Sequence, residues 1–248
     1  MSPLLAVEAV TKRFGGLTAV KEVGFDLDPG EIVGILGPNG AGKTTLFNLL
    51  TGFIRPDSGR VRFAGQAILG LAPARIVNLG LARTFQLCRP FTGLSVLENV
   101  MVACYAPRAQ AAGVVPTAHA MAMLEQVGLG DKTMVAAQAL SYGDQRRLEI
   151  ARALATGPDL LLLDEPFAGL GASEIEPLAQ LIRRLHRERN LTILIIEHKL
   201  QEFMQLVHRV IALDFGEIIA TGTPAQIVRE PKVIEAYIGR QDDDHAAA

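Results

Sequence analysis

The run Gly37-Pro38-Asn39-Gly40-Ala41-Gly42-Lys43-Thr44 constrains this chain more than any other feature, because it fits the pattern GxxxxGK[ST]. It follows Glu31-Ile32-Val33-Gly34-Ile35-Leu36, an apolar run of strand length that the turn signal Asp28-Pro29-Gly30 introduces. It precedes Thr44 to Leu50, which reads as a helix. Strand, glycine-rich loop and helix in this order form the setting in which a loop cradles phosphate. Backbone N–H groups and the helix N-terminus surround the phosphates, Lys43 reaches the β and γ oxygens, and Thr44 ligates Mg²⁺. The candidate nucleotide contacts are Gly37, Pro38, Asn39, Gly40, Ala41, Gly42, Lys43, Thr44 and Thr45. Taken as an exposed loop side chain, Lys43 should add little to packing.

Upstream, Leu4 to Val10 and Val23 to Leu27 read as antiparallel strands, as does Gly59 to Phe63 after the turn Arg55-Pro56-Asp57-Ser58. From Gln86 to about Thr156 the pattern turns helical, and Ser95-Val96-Leu97-Glu98 opens a run in capping-box form. Leu160 to Leu163 and Leu191 to Ile196 are unbroken apolar runs, as expected of parallel strands covered on both faces. Between them Ser173-Glu174-Ile175-Glu176 has the form of another capping box, and Ile175, Leu178, Leu181, Ile182 and Leu185 recur at helical spacing. Strand, helix, strand implies a right-handed parallel crossover. The expected fold is α/β, a P-loop core of RecA-like type with a small antiparallel β subdomain and a helical subdomain over about residues 86–156. One domain over 1–240 is expected, and the acidic then alanine-only tail 241–248 is expected to be disordered.

The strand Leu160 to Leu163 ends in Asp164-Glu165, and strand alternation sends the two carboxylates in different directions. Asp164 is assigned to the metal and Glu165 to the attacking water as general base. By itself, such a pair is an ordinary strand end. Beside a phosphate loop it is a candidate hydrolytic site.

At 248 residues and 49% apolar, the chain has room for one nucleotide-binding unit and not two. A net charge of −2 with scattered basic residues lacks the positive field that non-specific nucleic-acid binding uses, so nucleic acid is not the expected partner. Cys88 and Cys104 have neither CxxC spacing nor a nearby histidine pair, which argues against a structural metal or a disulfide scaffold. Met1 to Val10 lacks the features of a signal peptide, and the longest apolar runs fall far short of the roughly 20 residues that span a bilayer. Membrane association is expected only through another protein.

At Leu140-Ser141-Tyr142-Gly143-Asp144-Gln145 the chain resembles the ATPases of ABC transporters, whose signature is usually written LSGGQ. Tyr142 stands where the family usually has glycine and Asp144 where it usually has glutamine. A helix follows from Gln145 to Leu154, and its N-terminus suits a γ-phosphate. The resemblance implies that Ser141 and Gly143 serve ATP held by the opposing subunit. It further implies that Gln86 is the Q-loop glutamine near Mg²⁺ and the attacking water, and that His198 is the switch histidine at the γ-phosphate. Phe14 matches the aromatic that stacks on adenine, with a core aromatic of the small sheet as the alternative reading. Gly171 replaces the usual aspartate or asparagine of the D-loop. His119, His186, His208 and His245 match no motif.

The likeness runs from about Leu4 to Gly239. Within the family, Gly80 to Gln86, Ser141 to Arg147, and Gly222-Thr223-Pro224 through Ala236-Tyr237-Ile238-Gly239 are similar to branched-chain amino-acid importer ATPases. The resemblance implies ATP and Mg²⁺, a dimer with a second ATPase subunit, membrane permease subunits and, indirectly, a solute-binding protein. It implies a cytoplasmic location on the inner face of the cell membrane. Leu87, Arg89 and Phe91 are candidate permease contacts, with Phe91 in the core as the alternative. Urea or short-amide importers are a second cargo reading. A soluble ABC ATPase acting on ribosomes or DNA would carry two cassettes or a long coiled-coil insertion, and a P-loop kinase or GTPase would leave the signature helix without a purpose.

Overall fold

The computed structural model describes residues 2–198 and 200–238. The tail 241–248, with His245, and Gly239 lie outside them. In chain order the elements are β1 (Leu5–Phe14), β2 (Leu17–Leu27), β3 (Ile32–Leu36), α1 (Lys43–Leu50), β4 (Ser58–Phe63), β5 (Gln66–Ala67), α2 (Pro73–Leu79), β6 (Leu81–Arg83), α3 (Val96–Cys104), α4 (Pro107–Ala111), α5 (Pro116–Val127), α6 (Tyr142–Leu154), β7 (Leu160–Asp164), α7 (Ala172–Arg189), β8 (Thr192–Ile196), α8 (Leu200–Leu206), β9 (Arg209–Asp214), β10 (Glu217–Gly222), α9 (Pro224–Ile227) and α10 (Pro231–Ile238). The chain forms two compact units, one of residues up to Ala72 and from Leu194 onward, the other from Pro73 to Ile193.

In the first unit an antiparallel sheet runs β2-β1-β4-β5. Gly15 and Gly16 close the β1–β2 hairpin between the paired Phe14 and Leu17, and Gly15 takes φ 58°, which glycine tolerates without strain. Strand β1 is longer than the sequence pattern implied, because the exposed residues near its end still pair with β2. The same unit holds β3 and β9 in parallel, Val33 opposite Arg209 and Leu36 opposite Ala212, with β10 antiparallel on β9. Strand β3 is buried along its whole length, which is why it reads as a continuous apolar run. Helix α8 lays Phe203, fully buried, against Gly34: a Cβ there would sit 2.2 Å from the phenyl Cζ. Glycine at 34 therefore makes room for the aromatic ring.

In the second unit β6 and β7 are parallel, Leu81 opposite Leu160 and Arg83 opposite Leu162. Helix α3 starts at the expected capping box: the Ser95 hydroxyl accepts the Glu98 N–H, and the Glu98 carboxylate accepts the Ser95 N–H. Helix α7 starts earlier than expected. Its N-cap is Gly171, not Ser173, because the Glu174 carboxylate accepts the Gly171 N–H at 3.0 Å and the extended backbone of Gly171 feeds Ala172 into the first turn. Ile175, Leu178, Leu181, Ile182 and Leu185 are the buried stripe, as their spacing implied. Asn190, in the left-handed region at φ 49°, ends the helix.

Candidate nucleotide site

The loop after β3 is shaped by backbone crowding. A Cβ at Gly37 would lie 2.3 Å from the carbonyl oxygen of Leu213, and one at Gly42 would lie 2.3 Å from that of Ala19. Gly42 also takes φ 98° and Gly40 φ 80°, a region that side-chain-bearing residues rarely adopt. These glycines let the chain turn tightly into the start of α1. That helix has no side-chain N-cap bond and no acidic residue in its first turn. Its positive end is therefore matched to an anion that does not come from its own side chains.

Lys43 departs from expectation. It is only 7% exposed, and its ammonium donates to the carbonyl oxygens of Gly37 at 2.6 Å and Pro38 at 3.0 Å. The side chain curls beneath the loop, so it contributes to local structure as well as charge. Thr44 is exposed and Thr45 half-buried, as are Pro38 and Gly42; Asn39 is exposed and Ala41 buried. Phe14 ends β1 with 47% of its surface exposed, so it is not a core aromatic, and the Lys12 ammonium lies 5.4 Å from its ring centroid. His198 follows β8 with its side chain half-exposed, and its main-chain N–H donates to Oε2 of the fully buried Glu197 at 3.0 Å.

In the second unit β7 delivers the two carboxylates to different partners. Asp164 is buried, and its Oδ2 accepts a 2.6 Å bond from the Arg83 guanidinium, itself nearly buried. Glu165 is the first residue past the strand and sits at φ 48°, a left-handed conformation that costs a non-glycine residue on the order of 1–3 kcal/mol. Its Oε2 accepts a 2.8 Å bond from the Gln86 side-chain amide. The strained turn thus brings two predicted site residues together. Gln86, Leu87 and Phe91 are exposed, and the Arg152 guanidinium lies 4.7 Å from the Phe91 ring, so Phe91 is a surface residue.

Ser141 caps α6, its hydroxyl accepting the Asp144 N–H at 3.2 Å. Gly143 sits in the first turn, where a Cβ would approach the Glu174 carboxylate to 2.6 Å. Asp144 would set a negative charge against any phosphate at this helix end, but Lys132 pairs with it at 2.6 Å. Two histidines without a motif have structural partners: Nδ1 of His208 accepts the Ile32 N–H, and Nδ1 of His186 lies 2.9 Å from the Leu191 carbonyl. Sequence reasoning gave no role to Arg83, Arg146 or Glu149. No local pattern marks the bonds from Arg83 to Asp164, from the Phe85 N–H to Glu149 and from Arg146 to the Gln86 carbonyl, because in each the partners lie 60 or more residues apart in the chain.

The two features together, a glycine-built loop at an uncapped helix and a serine-capped helix in the signature pattern, define an ATP-binding cassette. The family model described as ABC transporter matches residues 20–168, and the chain belongs to that family. It is an ATP-hydrolysing cassette of the transport-coupled kind, with the expected α/β fold. A second model, described as branched-chain amino acid ATP-binding cassette transporter, matches residues 217–243. The chain is 43% identical to the high-affinity branched-chain amino acid transport ATP-binding protein LivG of Escherichia coli K12, covering 96% of this chain and 98% of that one. Among solved structures it is similar to an ATP-binding cassette of an ABC transporter in its ADP conformation, with a TM-score of 0.86, 32% identity and coverage of 96% and 100%. A dimeric cassette in a post-hydrolysis state, bound to ADP and Pi, matches with a TM-score of 0.78 and 27% identity over 89% of this chain and 98% of that one. No helix among the described residues is long and apolar enough to cross a membrane.

Proposed function

We propose that this chain is the ATPase subunit of an importer for branched-chain amino acids, and that residues 1–240 act as one ATPase domain with a helical part near 86–156. The observation that carries the cargo reading is the full-length likeness to LivG together with the match over 217–243. Partners would be two membrane permease subunits, a second ATPase subunit and, through the permease, a solute-binding protein. The chain then works at the inner face of the cell membrane, held there by the permease.

The chemistry assigned to the site is phosphoryl transfer to water, which depends on positioning and charge neutralisation more than on covalent steps. Lys43 and backbone N–H groups of the glycine-rich loop and the first turn of α1 hold the phosphates. Phe14, exposed and flat, stacks on adenine. Each unit offers hard oxygens of the kind that suit Mg²⁺: the first the exposed Thr44 hydroxyl, the second the Asp164 carboxylate, one oxygen of which Arg83 holds, and the Gln86 amide oxygen. Bound there, Mg²⁺ would neutralise charge on the phosphates. Glu165 accepts the proton of the attacking water, Gln86 orients it, and His198 touches the γ-phosphate. Ser141 and Gly143 present the end of α6 to ATP on the opposing subunit, a reading supported by the dimeric relative bound to ADP and Pi.

The test is uptake in membranes carrying the chain with its permease and binding protein. Radiolabelled leucine, isoleucine or valine should accumulate with ATP, and the Lys43→Ala chain should abolish both uptake and hydrolysis. Uptake of urea or a short amide in place of these amino acids would overturn the cargo. For the shared site, mixing inactive Lys43→Ala and Ser141→Arg subunits across the native pair should restore part of the activity. No recovery with mixed dimers confirmed by mass would refute it.

A further inference from the structure

Arg146 carries a full positive charge yet is only 2% exposed. A guanidinium so deeply buried is costly unless its donors are met. On its two terminal nitrogens they are met mostly by main-chain oxygens, while its buried Nε has no hydrogen-bond partner among the described residues. Its two terminal nitrogens donate to the carbonyls of Phe85 at 2.9 Å and Gln86 at 2.6 Å, to the Tyr142 hydroxyl at 2.7 Å, and more loosely to the Ala168 carbonyl at 3.3 Å. One turn further along α6, the Glu149 carboxylate accepts the Phe85 N–H at 3.0 Å and lies 3.7 Å from Arg146. The Gln86 segment is therefore fastened to α6 through both its carbonyls and one N–H. Its own amide then reaches Glu165 at 2.8 Å.

Tyr142 completes the arrangement. Its ring lies under the guanidinium, 5.1 Å from centroid to Cζ, a cation–π distance. Gly169, at φ 78°, also stands against this ring: a Cβ there would come within 2.7 Å of it. The tyrosine that replaces the family's usual glycine thus fits against a glycine in the loop after Glu165 and offers an acceptor to Arg146. Three loops, the ones bearing Gln86, Ala168 and Ser141, meet on one side-chain pair.

We infer that Tyr142 and Arg146 are positioning residues for hydrolysis, a pair that holds the Gln86 backbone in register with the signature helix so that the Gln86 amide meets Glu165. This rests on the reading of Gln86 and Glu165 given above. The pair would couple any movement of the Ser141 helix end directly to the glutamine. The tyrosine at 142 is then a working part of the signature and not a tolerated departure.

The experiment uses the full chain assembled with its permease. Tyr142→Phe keeps the ring over Gly169 and removes only the acceptor, so it should fold; kcat for ATP hydrolysis should fall about 3- to 10-fold, the size of one hydrogen bond felt at the transition state, with KM for ATP unchanged. Amide exchange over residues 84–88 should quicken while the rest of the chain keeps its protection. Arg146→Lys, which retains charge but not the fork, should lower kcat further. Wild-type kcat together with unchanged exchange over 84–88 in Tyr142→Phe would overturn the inference, as would a proportionate loss of protection everywhere. Glu165→Gln run alongside separates the two levels: normal hydrolysis in that variant would remove the underlying reading of the base, whereas its loss beside an unaffected Tyr142→Phe removes the positioning pair alone.

Discussion

Replacing Lys43 by methionine keeps the length of the stem and removes the ammonium, and the geometry of the loop says what should follow. The lost bonds include those to the carbonyls of Gly37 and Pro38, at 2.6 and 3.0 Å, from a lysine only 7% exposed. A hydrogen bond from a charged donor contributes about 1.5–3 kcal/mol. The Pro38 carbonyl lies at a half-buried residue and can regain water, so one such bond is the fair measure of the loss. In a chain of this size about 1.5–3 kcal/mol corresponds to a fall in Tm of roughly 3–12 °C. Thermal unfolding without nucleotide should show that fall. Saturating ATP should raise the wild-type Tm, since ligand at a hundred times its Kd adds about 2.7 kcal/mol, and should leave the variant almost unmoved. An unchanged Tm without nucleotide would refute the structural part of the argument. A full ATP-induced rise in the variant would refute the phosphate contact.

Glu165→Gln should retain ATP binding and lose hydrolysis by about 10²- to 10⁴-fold, because the amide keeps the bond geometry and cannot take a proton; a normal rate in a coupled phosphate-release assay removes Glu165 as the base. Gly34→Ala should cost about 1–3 kcal/mol in denaturant unfolding, because the new methyl meets the Phe203 ring. Trimming that ring in the double variant Gly34→Ala/Phe203→Leu should make the two changes non-additive, and strict additivity would contradict the packing. Burial pushes the Glu31 carboxyl up from its ordinary 4.5, but the paired hydrogen bonds from Arg209, at 2.8 and 2.9 Å, and the Asp28 contact outweigh it and hold the group below that value. Its stabilisation is therefore complete above pH 4.5 and lost as pH falls through the lower folded value, so the stability gap to Glu31→Gln should stay level from pH 8 to about 5 and close below 4.5. A gap that persisted unchanged at pH 3 would refute the pairing.

The sequence by itself determined the pieces whose physics is local. The glycine-rich loop, the buried strands β3, β7 and β8, the capping box at Ser95 and the apolar stripe of α7 all follow from backbone freedom, burial and helical spacing within a dozen residues. So do the motifs from Lys43 to His198 that carry the family. Where the sequence pattern slipped, a local rule met a competing one. Glu174 pairs back to Gly171 and not within the Ser173 pattern, since a bare glycine backbone can act as N-cap when a carboxylate three residues on accepts its N–H.

Only the tertiary structure decided where the charges go. Nothing near Lys43 in sequence says that its ammonium folds back onto its own loop, and that depends on the loop closing as tightly as Gly37 and Gly42 allow. Asp164 meets Arg83 across 81 positions, and Arg146 meets Gln86 across 60. Side-chain periodicity marks which face is buried, but which distant polar group waits there is set by the packing of parallel strands and helices. Burial then leaves each charge dependent on the partner that packing supplies, because solvent no longer can.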